Sequence, residues 1–152
     1  MTVRLSTGLR SAMCGTVGFA GAMANGVIEI RTGSQPPTAD SPATGTLLGI
    51  ITLGGGAFTP GSPTNGLTFA VAADGKVLKT GEWKMVAIAA GIVGYGRFKG
   101  NAVDAGGLST TAVRADGTAG EGANFRFPQA TVEIGTPITL DQWEFRIPFQ
   151  PA

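Results

Sequence analysis

Leu67-Thr68-Phe69-Ala70-Val71-Ala72-Ala73-Asp74-Gly75-Lys76-Val77-Leu78 is the stretch that decides the fold class. Two runs of β-prone residues flank Asp74-Gly75, a pair that accepts the positive φ values of a type I′ turn, so the segment predicts a β-hairpin. Upstream, residues 60–66 and the glycines at 54–56 bracket Ala57-Phe58-Thr59 as a loop. Residues 46–53 form a nearly continuous apolar run, which predicts a strand buried on both faces. Residues 32–44, with three prolines, read as an ordered surface loop. Ahead of them Val27-Ile28-Glu29-Ile30-Arg31 alternates apolar and charged residues with the two-residue period of a half-buried strand.

Downstream of the hairpin the same period continues. Residues 82–90 place Trp83, Met85 and Ala87 on one face, and residues 94–99 set Tyr95, Arg97 and Lys99 opposite Gly96 and Phe98. Residues 101–107 turn the chain, and residues 110–115 lead to a second expected Asp-Gly turn at Asp116-Gly117. Short strands follow at 124–127 and 131–134, separated by Pro128. In the last one Trp143, Phe145 and Ile147 alternate with Gln142, Glu144 and Arg146 until Pro148 stops it.

Only the N-terminus reads differently. Ser6 or Thr7 caps a short helix whose Leu9, Ala12 and Met13 share one side, and residues 19–24 make a further turn or two before Asn25-Gly26. The reading is therefore one all-β domain over residues 1–152. Residues 1–24 form a helical segment and 25–152 an antiparallel β-sandwich of about eight short strands.

Composition narrows the chemistry. A chain of 152 residues is long enough for one real core, burying roughly 68–70% of its unfolded surface. Charged residues make up 14%, below the roughly 25% of ordinary soluble domains, which suits a protein that lies against other protein. The chain has no histidine, so the commonest general base and metal ligand is missing. Cys14 is its single cysteine, expected as a small buried residue on a helix and unable to form an internal disulfide. A net charge of +1 without any run of like charge argues against nucleic acid, and no window approaches the 18 apolar residues of a membrane-spanning helix. No cofactor and no metal site is expected.

Local motifs agree. Gly94-Tyr95-Gly96-Arg97-Phe98-Lys99-Gly100 has the wrong spacing for a phosphate loop and no helix after it, so its glycines are expected to relieve crowding against a neighbouring strand. Glu29, Glu82, Glu133 and Glu144 fall on strand positions expected to be solvated, and Asp40, Asp74, Asp104 and Asp116 fall in expected turns. Trp83 and Trp143 are expected as core anchors. Together these readings make the chain a non-enzyme.

Leu5-Ser6-Thr7-Gly8-Leu9-Arg10, Gly26-Val27-Ile28-Glu29-Ile30, the segment Thr32-Gly33-Ser34-Gln35-Pro36-Pro37-Thr38-Ala39-Asp40, Thr44-Gly45-Thr46-Leu47-Leu48 and Ala105-Gly106-Gly107-Leu108-Ser109-Thr110-Thr111 resemble a group of small tailed-bacteriophage virion proteins. Within that group the likeness is to capsid cement (decoration) proteins, and the C-terminal third departs most from the pattern. The resemblance implies a jelly-roll-like sandwich, made in the host cytoplasm, that binds the outside of the capsid and bridges major capsid protein subunits, with copies of itself as further partners. The N-terminal segment pairs an apolar stripe with two cations, which makes Arg4, Leu5, Leu9, Arg10 and Met13 the candidate partner-binding residues. The alternative for that segment is a plug on its own sandwich. An alternative for the whole chain is a tail-associated or fibre-base adhesin for a host glycan, which calls for exposed loop aromatics such as Phe58. A glycan-active enzyme would instead need two carboxylates facing each other in a cleft.

Overall fold

The computed structural model describes residues 3–147. Strand β1 (Arg4–Leu5) leads into helices α1 (Thr7–Cys14) and α2 (Gly18–Met23), followed by β2 (Val27–Arg31) and β3 (Leu47–Leu53). The hairpin strands are β4 (Thr68–Phe69) and β5 (Lys76–Thr80); then come β6 (Trp83–Val86), β7 (Gly91–Ile92), β8 (Tyr95–Lys99) and β9 (Arg114–Gly120). The chain closes with β10 (Phe125–Arg126), β11 (Thr131–Val132), β12 (Pro137–Thr139) and β13 (Glu144–Arg146). An antiparallel β-sandwich with a short N-terminal helix is what the sequence forms. Strands outnumber the expected eight because two- and three-residue pieces such as β1, β7 and β12 are too short to carry a periodic signal.

The main sheet runs β1-β9-β8-β2-β3-β6-β12, with β10 added to β9, and a second sheet runs β13-β5-β4. The hairpin forms as predicted: Asp74 (φ 52°) and Gly75 (φ 72°) both take positive φ, and Ala73 and Lys76 bridge across them. Between the two sheets and the helices lies one apolar core, including Leu9, Met23, Ile28, Ile30, Ile51, Met85 and Phe127. Its centre is aromatic. Trp83 and Phe98 of the main sheet meet Phe69 and Trp143 of the second layer at centroid distances of 5.4–5.9 Å, and Phe19 of α2 stacks on Phe145 at 3.9 Å. Both tryptophans are thus core anchors. Fully burying an apolar side chain of this size is worth about 1.5–3 kcal/mol, so this cluster clamps the layers together.

The N-cap of α1 is Ser6, whose hydroxyl accepts from Leu9 N at 3.1 Å. Leu9 is fully buried, while Met13 packs on the core from its rim. Cys14 was expected to be buried; it ends α1 on the exposed side, because burial of Leu9 turns the helix's far end outward.

Four further expectations are corrected. Asp116-Gly117 is no turn: β9 runs straight through it, opposite Arg97 and Gly96 of β8. Gly96 and Gly117 are cross-strand partners whose missing side chains make room for the Phe125 ring, which a Cβ on either would approach to 2.9–3.0 Å. Here glycine serves packing between neighbours, the role expected for the glycines of 94–100. Glu29 is buried, because it meets cations on two strands. Of β3, the inner residues Leu48 and Ile51 are buried, yet Ile50 on the other face stays open to solvent. Ile147 was placed with Trp143 and Phe145 on the core face; it is exposed beside the hairpin tip, where its N–H donates to Gly75 O at 2.9 Å. The strand stop at Pro148 lies outside the described residues.

Candidate functional site

Across the outer face of the main sheet, the strand register lines up one row of charges. Arg4 stands opposite Asp116, Asp116 opposite Arg97, Arg97 opposite Glu29, and Glu29 opposite Ile50. Signs therefore alternate over four strands and end at an aliphatic residue. The Arg97 fork grips Asp116 through Nε to Oδ1 and Nη2 to Oδ2, both at 2.7 Å, and both residues are fully buried. Arg97 Nη1 makes no hydrogen bond, a buried donor that costs about 1–3 kcal/mol. Burial pushes the Asp116 carboxyl up, with the Arg97 fork pulling against it. Glu29 accepts from Arg31 Nε at 2.9 Å and Lys99 Nζ at 3.2 Å.

A second buried guanidinium ties down two loops. Arg114 donates through Nε and Nη2 to Asp104 at 2.7 and 2.6 Å, through Nη2 to Gly107 O, and through Nη1 to the carbonyls of Ala39, Asp40 and Ser41. Residues 32–46 are thereby drawn over the charged row as a roof. Arg4 Nη1 holds the same roof at Gln35 O and Pro36 O, while the Tyr95 hydroxyl donates to Thr44 O at 2.8 Å and accepts from Thr44 N at 2.9 Å. Asp40 completes the closure by accepting from Thr7 N and Thr7 Oγ1 at 2.7 and 2.6 Å. Those two bonds hold its carboxyl below the usual range, helped by Arg10 and Arg114. Burial pushes Asp104 up, but the Arg114 fork, the Gly106 N–H and nearby Lys99 outweigh it and bring the group down to about 2.

Chemically this layer holds the structure together. Its carboxylates accept from cations, from backbone N–H groups and, at Asp40, from the Thr7 hydroxyl. Among the described residues no group of three or more His, Cys, Asp or Glu side chains could hold a metal ion. Glu121 and Asp141 line one shallow hollow of about 460 Å³ with Arg126, Phe127, Pro128 and Gln142, and both residues are exposed. Phe58 is half-buried, and no aromatic side chain is exposed among the described residues.

The five residues singled out at the N-terminus are placed as follows. Leu9 is in the chain's own core and Leu5 and Met13 pack against it; Arg4 is spent on the roof. Arg10 is the exposed one, bonded to Thr7 Oγ1 at 3.0 Å. Sequence reasoning missed the Arg97–Asp116 and Arg114–Asp104 pairs. Their signal was there in the period-two placing of charges at 95–99 and at 114 and 116, beside glycine and alanine.

Past Ile50 the outer face changes character. Val86 of β6 is exposed and faces Pro137 of β12, and Ile88 beyond it is exposed too. Ile92 of β7, in the small sheet with β11, and Ile134 are also exposed. A separate exposed pair, Val103 and Leu108, rides on the loop that Arg114 and Asp104 fix, beside a hollow of about 420 Å³. No helix among the described residues is long and apolar enough to cross a membrane. No protein-family model, curated protein or solved structure matches the chain.

Proposed function

We propose that this chain is a structural protein of a tailed-phage particle that binds the outside of the capsid and reinforces contacts between major capsid protein subunits. The observation that carries the reading is the division of labour in the outer face: buried ions close the fold, while aliphatic side chains are left on the surface for contact. The sequence resemblance to capsid cement proteins, and with it the jelly-roll kinship, points the same way.

The mechanism is physical. A protein bound across neighbouring subunits of a shell favours the assembled state by mass action, and many copies on a symmetric lattice make modest contacts sufficient. The loop of residues 100–113 suits the contact with the shell. It is pre-organised by Arg114–Asp104 and by Asn101, whose Nδ2 donates to Asn25 O and Ser62 O, and it carries Val103 and Leu108 outward. Locating the chain in the particle tests the reading. Density for it at the seams between capsomers is expected, and density at the tail vertex alone would overturn cementing in favour of an adhesin.

A further inference from the structure

We infer that the hollow between α2 and the loop of residues 100–113 is the anchor point of the contact with the shell, taking one bulky apolar side chain of the capsid protein. About 420 Å³ of space opens there. Ala22, Ala112 and Val113 line it half-buried, and the bottom is closed at Gly100, where a Cβ would come 3.2 Å from both Ala22 O and Val113 Cβ. At the mouth stand Val103 and Leu108, 80% and 76% exposed. Small side chains below and aliphatic ones around the opening make a hole for a knob. A side chain inserted there is shielded from water, which is how a single anchor comes to carry most of the energy of an interface.

Charge selects the occupant. The ionisable side chains lining the hollow are Asp104 and Arg114, and they are spent on each other through the fork at 2.7 and 2.6 Å. Arg114 gives its other donors to backbone carbonyls, and Asp104 Oδ1 also accepts from Gly106 N at 2.9 Å. A charged side chain entering would shed its water and meet no unspent opposite charge, whereas an apolar one gives up no hydrogen bond. Sites for whole small molecules run from roughly 300 to 1,000 Å³, so this hollow, near the lower end, matches one aromatic or branched side chain. That side chain belongs to a protein surface, because Val103 and Leu108 stand outside the hollow and only a surface around the inserted group covers them as well. The walls are set before anything binds. Ser6 Oγ donates to Ala112 O at 2.8 Å and accepts from Arg114 N at 2.9 Å, and Ser109 N donates to Asp40 O at 2.9 Å, so docking orders little of the loop.

The inference deepens the proposed function and rests on its reading of this loop as the contact with the shell. NMR titration of the full chain with N-acetyl-tryptophanamide tests it. Saturable shifts are expected at the amides of Gly100, Gly107, Ala112 and Val113 with a Kd in the millimolar range, and none with the N-acetyl amides of glutamate or lysine. Gly107 also lines the hollow; a Cβ there meets nothing within 4 Å and its φ is not positive. Gly107→Leu should therefore keep the fold, take up space at the hollow and weaken binding about tenfold. If that variant does not fold, Val103→Ser with Leu108→Ser strips the mouth at two exposed positions and should weaken binding about threefold. Shifts that do not saturate, equal shifts with the glutamate amide, or binding untouched by these substitutions would overturn the anchor. A chain seated at capsomer seams whose occupancy neither variant lowers defeats the anchor alone, whereas a hollow that takes the tryptophanamide in a chain found only elsewhere in the particle defeats cementing alone.

Discussion

One face of one sheet is treated in two ways. Over β1, β9, β8 and β2 it carries Arg4, Asp116, Arg97 and Glu29 in register beneath a roof of residues 32–46; over β3, β6 and β12 it carries exposed Ile50, Val86 and Pro137 beside Thr52, Lys84 and Thr139. The contrast inverts the usual expectation that charge faces water and aliphatic carbon does not. It teaches that the polar half is internal machinery for holding loops, and that surface chemistry belongs to the apolar half.

The two halves should respond unequally to substitution. Asp116→Ala strands the buried Arg97 charge and should cost about 3–5 kcal/mol in urea unfolding, whereas Arg97→Met with Asp116→Leu should recover most of that loss. Arg114→Met removes the tie to two loops; a loss of about 2–3 kcal/mol is expected, with faster amide exchange at Gly106 and at Ser109, whose N–H donates to Asp40 O. Acid should act on the same half. Asp104, at about 2 in the fold against about 3.9 in an unfolded chain, contributes stability that is fully present above pH 4 and is lost as pH falls toward 2. Asp104→Asn should flatten the stability-versus-pH curve across that window.

Smaller effects follow. Ser6→Ala should cost about 1–2 kcal/mol, since its hydroxyl caps α1, donates to Ala112 O at 2.8 Å and accepts from Arg114 N at 2.9 Å. On the bare half, Ile50→Thr in the isolated chain should change stability by no more than about 0.5 kcal/mol. A large loss there would erase the distinction between the halves.

How far the sequence reveals this division depends on the range of the signals. Asp74-Gly75 and Asp116-Gly117 are the same dipeptide, and only the first turns. Local φ preference decides where the flanking strands are free to fold back. In β9 the fork of Arg97 and the ring of Phe125 claim the aspartate and the glycine, and neither partner is adjacent in sequence. Glu29 was misplaced for the same reason, since Lys99 lies 70 residues away. Strands with a clean period of two, such as β2 and β6, and the cap at Ser6 were legible because their determinants are local. The apolar run of β3 reads as a strand buried on both faces, yet Ile50 on its outer face is exposed, because what covers a strand face lies far away in sequence.

The closure of the roof also has a kinetic side. Ser6 is 108 residues from Arg114, to whose N–H its hydroxyl is bonded, and Arg4 pairs in register with Asp116. During synthesis Ser6 is therefore made 108 residues before its partner Arg114 on β9. Contacts this distant in sequence slow folding, because the loop entropy is lost before the contact rewards it. Once shut, the N-terminal segment is held by buried Leu9 and by the three hydrogen bonds of the Ser6 hydroxyl, so slow amide exchange is expected at Ser6, whose N–H donates to Arg114 O.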